Sequence, residues 1–259
     1  MTELLPRERH RIAPLFDHTE ETMVRSCLDG MMGRAWADRA DMPACAQIVT
    51  ADFCFFAGDA SAPGASALVR NIPPRIPNDL LILAAPDEGW ERLIGDAYPD
   101  AARGERYALK KEPDCFDRAR LLAYAQGLGP EYALVPIGPA LYHALSHAAW
   151  SRDLVASFAG ARDYAARGIG YAVLYRGVPV CGASSYTVYR GGIEIEIDTR
   201  GDFRRRGLAL ACGAKLILAC LARGLYPSWD AASRASLALA GRLGYRFSHA
   251  YPVWFVRRG

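Results

Sequence analysis

The chain has 259 residues, 51% hydrophobic and 23% charged, with 31 Lys and Arg against 28 Asp and Glu for a net charge of +3. These values describe one large or two small globular domains. They exclude a disordered, collagenous or coiled-coil protein, and the weak charge implies no nucleic-acid partner without a local patch.

The opening MTELLPRERHR breaks any apolar run with charges, so no secretory signal is expected. Seven cysteines, an odd number without a C-x-x-C pair, fit reduced thiols in a cytoplasmic protein better than a disulfide framework or a zinc site. Residues 19–40 read as helical. Residues 51–58 (ADFCFFAG) and 79–85 (DLLILAA) read as short buried strands around a loop that carries Pro63, Gly64, Pro73, Pro74 and Pro77. Helices are expected over 88–97 and 114–126. Gly127, Gly129 and Pro130 then break the pattern, which sets a smaller N-terminal α/β domain (1–130) of unassigned role apart from a C-terminal domain (131–259). No internal repeat is evident.

Residues 132–151 lack Asp, Glu, Lys and Arg, but Pro136, Gly138, Pro139, His143 and His147 turn this stretch into strand, turn and helix, and no membrane partner is expected. The pattern gives a strand over 132–136, a helical region over 140–166, and strands over 169–175, 178–189 and 193–198. Arg176-Gly177 and Arg190-Gly191-Gly192 separate these strands, as in antiparallel hairpins. Residues 207–222, with Lys215 as their one charge, form an apolar helix. A strand (225–230), a helix (233–243) capped by Ser233 and a last strand (245–256) follow, an order that implies a right-handed crossover to a parallel neighbour.

The informative segment is Arg204-Arg205-Arg206-Gly207-Leu208-Ala209, at the start of the apolar helix. Three arginines alone read as a solvated loop. At a helix start, unpaired N–H groups, about half a positive charge and a glycine that admits close approach make a diphosphate site. With the meander before it and the strand, helix and strand after it, residues 131–259 resemble the GNAT superfamily of acyl-CoA-dependent N-acetyltransferases. I-E-I-E-I-D-T, P-S-W-D-A-A-S and L-A-L-A-G-R-L-G-Y resemble the branch that includes the zwittermicin A self-resistance acetyltransferase.

The resemblance implies a mixed-sheet α/β (α+β) acyltransferase fold in the C-terminal half, with acetyl-CoA (coenzyme A) as cofactor. It implies pyrophosphate contacts from Arg204, Arg205, Arg206, Gly207, Leu208 and Ala209, and pantetheine contacts from the backbone of Ile197, Asp198 and Thr199. Ser233 stands where many members have a cofactor-binding Asn, and Ala240 where many have a Tyr that protonates the leaving thiolate.

The alternation of I-E-I-E-I-D puts Glu194, Glu196 and Asp198 on one strand face, about 7 Å apart in succession. If that face is partly buried, like charges raise at least one pKa toward neutrality, which suits a general base toward a protonated amine. Glu196 is the first candidate and Glu194 the second. The same face also reads as solvated, or as paired with nearby arginines. Backbone N–H groups around Ile197 are candidates to polarise the thioester carbonyl. No metal is expected, since the pair His143 and His147 lacks a third ligand. The expected activity is acetyl transfer to a primary amine on a small molecule; the alternative, kept open by Ala240, is a non-catalytic acyl-CoA sensor.

Overall fold

The computed structural model describes residues 1–74 and 79–257, and Pro77 lies outside them. The chain forms two compact units, Met1–Arg106 with Tyr251–Gly259, and Tyr107–Ala250. The boundary expected at residue 130 falls inside the second.

In the first unit the strands are β1 (Thr2–Leu4), β2 (Arg34–Ala37), β3 (Cys45–Thr50), β4 (Phe53–Gly58), β5 (Leu80–Ala84) and the start of β6 (Ala102–Leu109). Its helices are α1 (Thr22–Leu28), α2 (Ala65–Val69) and α3 (Glu88–Ala97). The helix expected over 19–40 stops at Leu28. Gly30 and Gly33, at φ +73° and +77°, turn the chain out of the helix and into β2. The buried Arg9 holds that turn, donating from Nη1 to the Cys27 carbonyl at 2.7 Å and from Nη2 to the Gly33 carbonyl at 2.9 Å. β1 to β4 are antiparallel neighbours in sequence order, and β5 lies parallel to β4 through the pairs Phe53–Ile82, Cys54–Leu83 and Phe55–Ala84. Trp36, Cys54, Phe56, Leu68, Leu83, Trp90, Ile94 and Trp254 make the core of this unit.

The second unit begins with the end of β6 and then α4 (Arg118–Gln126), which starts later than expected because Asp117 caps it, accepting the Arg120 amide at 3.0 Å. Next come β7 (Tyr132–Pro136), α5 (Pro139–His147), a 3-10 turn at Arg152–Leu154, α6 (Ala161–Arg167), β8 (Gly170–Tyr175), β9 (Val178–Tyr189) and β10 (Gly192–Thr199). They lead to α7 (Leu208–Leu221), β11 (Tyr226–Ser228), β12 (Asp230–Ala231), α8 (Arg234–Leu243) and β13 (Phe247–Arg257), whose second half belongs to the first unit. The sheet runs β11-β10-β9-β8-β7, antiparallel except for β10–β11.

Helix α7 covers one sheet face and is buried on nearly all sides, with α4 packed against it. Gly213 allows close contact with Ile197, since a Cβ there would stand 2.9 Å from the Ile197 Cδ1. Leu154 against Gly182, and the Tyr164 hydroxyl 2.7 Å from Ser184 Oγ, mark the other face. Among the described residues no helix is long and apolar enough to cross a membrane. Residues 132–151 make β7, a turn and α5, whose His143 and His147 are exposed.

Two further expectations change. The strand read over 225–230 is broken at Trp229 into β11 and β12, which pair with different strands. The last strand is not a parallel neighbour: β13 pairs antiparallel with β5, Val253 opposite Ala84. The structure also shows a repeat that the sequence hides. In both units four strands run antiparallel in order, and a helix then crosses to a parallel fifth: β1-β2-β3-β4-(α2)-β5 and β7-β8-β9-β10-(α7)-β11.

Candidate functional site

The break at Trp229 shapes the site. β10 and β11 pair only through Gly192–Tyr226, Ile193–Pro227 and Glu194–Ser228; β12 then turns to Tyr107 and Ala108 of β6. From Ile195 onward, β10 has its antiparallel partner β9 on one side and, among the described residues, no strand on the other, which leaves an open edge. The Tyr226 amide donates to the Gly191 carbonyl, and the Arg200 amide to the Val180 carbonyl of β9, both at 2.9 Å. Since main-chain groups alternate sides along a strand, those of Ile197 and Thr199 face the open edge and those of Asp198 face β9.

The open edge leads to the arginine loop. Arg205 has φ +61° and Gly207, the N-cap of α7, has φ +78°. No side chain caps the helix, and the amides from Arg205 to Leu210 have no acceptor among the described residues. A Cβ at Gly207 would meet nothing within 4 Å, so the helix start is uncrowded at that residue. Arg204, Arg205 and Arg206 are exposed. Arg204 donates to the Thr199 carbonyl at 3.3 Å; Arg206 donates to the Asp202 carbonyl at 2.9 Å and lies over the Phe203 ring. Open amides, a helix start and three guanidinium groups fit a pyrophosphate, and the unpaired edge of β10 fits an extended amide-bearing arm. Ser233 caps α8, accepting the Ser236 amide at 3.2 Å, and its own O–H hydrogen is left for another acceptor.

Register and packing put Glu194, Glu196 and Asp198 on the face opposite α7: Glu194 lies opposite Thr187, Glu196 opposite Ser184 and Asp198 opposite Gly182. Their environments differ. Glu194 is 4% exposed, in one row with the fully buried Thr187 and Ser228, whose hydroxyls have no hydrogen-bond partner among the described residues. Glu196 is half-buried on the released part of the strand. The Asp198 carboxyl is pushed up to about 6 by burial and then by the charge of Asp153, against the pull of Arg204. For Asp198 the cause is therefore burial first, and not repulsion from its neighbours on the strand.

The sequence pattern did not single out Thr187 or Ser228; their signal is only in the pairing of β9, β10 and β11. Ala240 is fully buried in α8 and brings no hydroxyl. Tyr186 is buried in β9 beside the bulge that faces Glu194 and Ile195, and Tyr251 belongs to the other unit. Among the described residues no cluster of three His, Cys, Asp or Glu could hold a metal ion.

A family profile described as GNAT acetyltransferase matches residues 13–254. A GCN5-related N-acetyltransferase-like protein from Streptococcus suis 89/1591 is 37% identical, with a TM-score of 0.90 over 98% of this chain and 100% of that one. The uncharacterized N-acetyltransferase YdfB of Bacillus subtilis (strain 168) is 31% identical over 95 residues, 36% of this chain and 36% of its own length. A tandem GNAT protein from the clavulanic acid biosynthesis pathway shares the fold, with a TM-score of 0.59 at 12% identity over 100% of this chain and 98% of that one. The chain belongs to the GNAT acetyltransferase family, and the match takes in most of both units, where the sequence pattern pointed to the second half alone.

Proposed function

We propose, with that membership as the premise, that this chain transfers an acetyl group from acetyl-CoA to a primary amine on a small molecule. One observation carries the reading: β10 loses its parallel partner after Glu194, and its open edge runs into a helix start with unpaired amides and three arginines. When bound, acetyl-CoA supplies the acetyl group as an activated thioester. The amides of Arg206 to Ala209 hold the diphosphate, and Arg204 and Arg205 add charge around it. Ile197 and Thr199 offer main-chain groups along the open edge, Asp198 acts through its carboxyl on Arg204, and Ser233 donates its free O–H.

The acceptor is an ammonium ion in water and reacts only when neutral, so a base is needed. Glu196 takes that proton: it is half-buried, it sits on the released part of β10, and it lies within the acidic row that draws a cation in. Glu194, deeper and flanked by the hydroxyls of Thr187 and Ser228, is the second candidate and orients the ammonium group. The small acceptor rests on the resemblance to the zwittermicin A resistance branch alone.

Ala240 favours a second reading, a binding module that senses an acyl-CoA without turnover, because no side-chain acid stands at that position. Thiol release with acetyl-CoA and a panel of primary amines separates the two. The enzyme reading expects release only when an amine is present. Tight binding in a thermal-shift assay with no release for any amine supports the sensor; saturation at a hundred times Kd adds about 2.7 kcal/mol of stability in either case.

A further inference from the structure

The repeat of strand order raises the question of what the first unit does with its own crossover. Equivalent positions follow from the hydrogen bonds. The Arg200 amide turns back onto β9, and the Asp59 amide turns back onto β3, donating to the Ala44 carbonyl at 2.9 Å. Gly58 therefore matches Thr199, and its carbonyl faces the side where β5 has ended. Counting back along the strand, Phe53, Phe55 and Ala57 stand where β10 has Glu194, Glu196 and Asp198. The acidic row has become apolar, with Phe53 and Phe55 stacked at 5.9 Å.

The space beyond the paired part of β4 is filled. Trp90, fully buried, donates its indole N–H to the Gly58 carbonyl at 3.0 Å and stacks on Phe56 at 4.9 Å with 15° between the rings. It stands three residues after the N-cap Asp87 of α3; three residues after the N-cap Ser233 of α8 stands the small, half-buried Ser236. The loop chemistry is reversed as well. Residues 59–69 hold no Lys or Arg. The Asp59 carboxylate, held below the usual range by the Ser61 hydroxyl and amide, accepts the Ser61 amide at 2.8 Å, and the helix that follows has only five residues. These residues do not fit a pyrophosphate or an extended pantetheine arm.

We propose that the first unit is a second acetyltransferase-type core whose cleft is sealed from within by Trp90, so that the chain binds one coenzyme A and not two; the position of that one site rests on the function proposed above. Calorimetry on the wild-type chain is expected to give one coenzyme A per chain, and two per chain would overturn the proposal. The seal itself is tested without coenzyme A. Trp90→Ala is expected to lower Tm by on the order of 10 °C, and millimolar indole, which does not bind the wild type, to bind saturably and recover at least half of the loss. Failure of folded Trp90→Ala to bind indole would overturn the seal, while absence of any coenzyme A binding would overturn only the proposed function. Should Trp90→Ala not fold, the wild type gives the answer. The Trp90 indole N–H, identified by its absence in Trp90→Phe, should exchange slowly with D2O at a rate that saturating coenzyme A leaves unchanged; faster exchange on adding coenzyme A would overturn the seal.

Discussion

The crossovers β4-α2-β5 and β10-α7-β11 have one topology and opposite chemistry. In each, a strand outruns its parallel partner and feeds a helix. At β10 the exposed strand end meets a 14-residue helix whose start is uncapped and ringed by Arg204, Arg205 and Arg206. At β4 it meets Trp90, an aspartate and a five-residue helix. Topology thus supplies a place for a ligand, but unpaired amides, charge and empty space decide whether the place is a site. Sealing also changes stability. The indole bridging Phe56 and Gly58 is core, whereas the amides of Gly207 to Leu210 have no acceptor among the described residues.

Substitutions at matched positions should separate the two crossovers. The largest expected effect is at the carboxylate that β4 replaces by Phe55: Glu196→Gln should lower kcat about 10²- to 10⁴-fold at neutral pH, with little change in coenzyme A affinity. If Glu194→Gln loses that activity and Glu196→Gln keeps it, the base is Glu194. Next, Arg206→Glu should weaken coenzyme A binding roughly tenfold to a hundredfold, more at low salt, while Asp59→Lys should leave calorimetric stoichiometry and affinity unchanged.

A smaller effect is expected at Asp198, whose carboxyl is raised from 3.8 to about 6 in the folded chain. The folded state binds that proton more tightly than the unfolded chain, so the cost of ionising it grows as pH rises from about 4 to 6 and is complete above. Asp198→Asn should therefore stabilise the protein above pH 7, by on the order of 2 kcal/mol, and not near pH 4, as melting curves at the two pH values would read. The smallest pair is at the caps. Ser233→Ala and Asp87→Ala should each cost about 1 kcal/mol in denaturant titrations, yet only Ser233→Ala should weaken coenzyme A binding.

Much of the second unit could be read from sequence because its signals are local. β7 and β9 run over the expected residues, the Gly-containing turns were visible, and I-E-I-E-I-D and R-R-R-G name their own chemistry. The first unit was opaque for physical reasons. β3 is buried along its whole length, so C-A-Q-I-V-T shows no alternation, and β6, A-R-G-E-R-Y-A-L, carries three charges. The run from 19 to 40 kept apolar residues in step across Gly30 and Gly33, which hid the turn into β2. Trp229 divides a strand that looks continuous in sequence, and only the change of pairing partner reveals it. The repeat was invisible because Phe53 and Phe55 take the places that Glu194 and Glu196 hold in β10, and the two loops share no charge pattern.

The most direct test follows backbone amide chemical shifts of the isotope-labelled chain during titration with coenzyme A. The largest, saturable changes should fall on Arg205 to Leu210, with Ile197 and Thr199 following and Ser61 to Ser66 unmoved. Saturation with the largest changes at Ser61 to Ser66, or with Arg205 to Leu210 still, would refute a coenzyme A site at the start of α7.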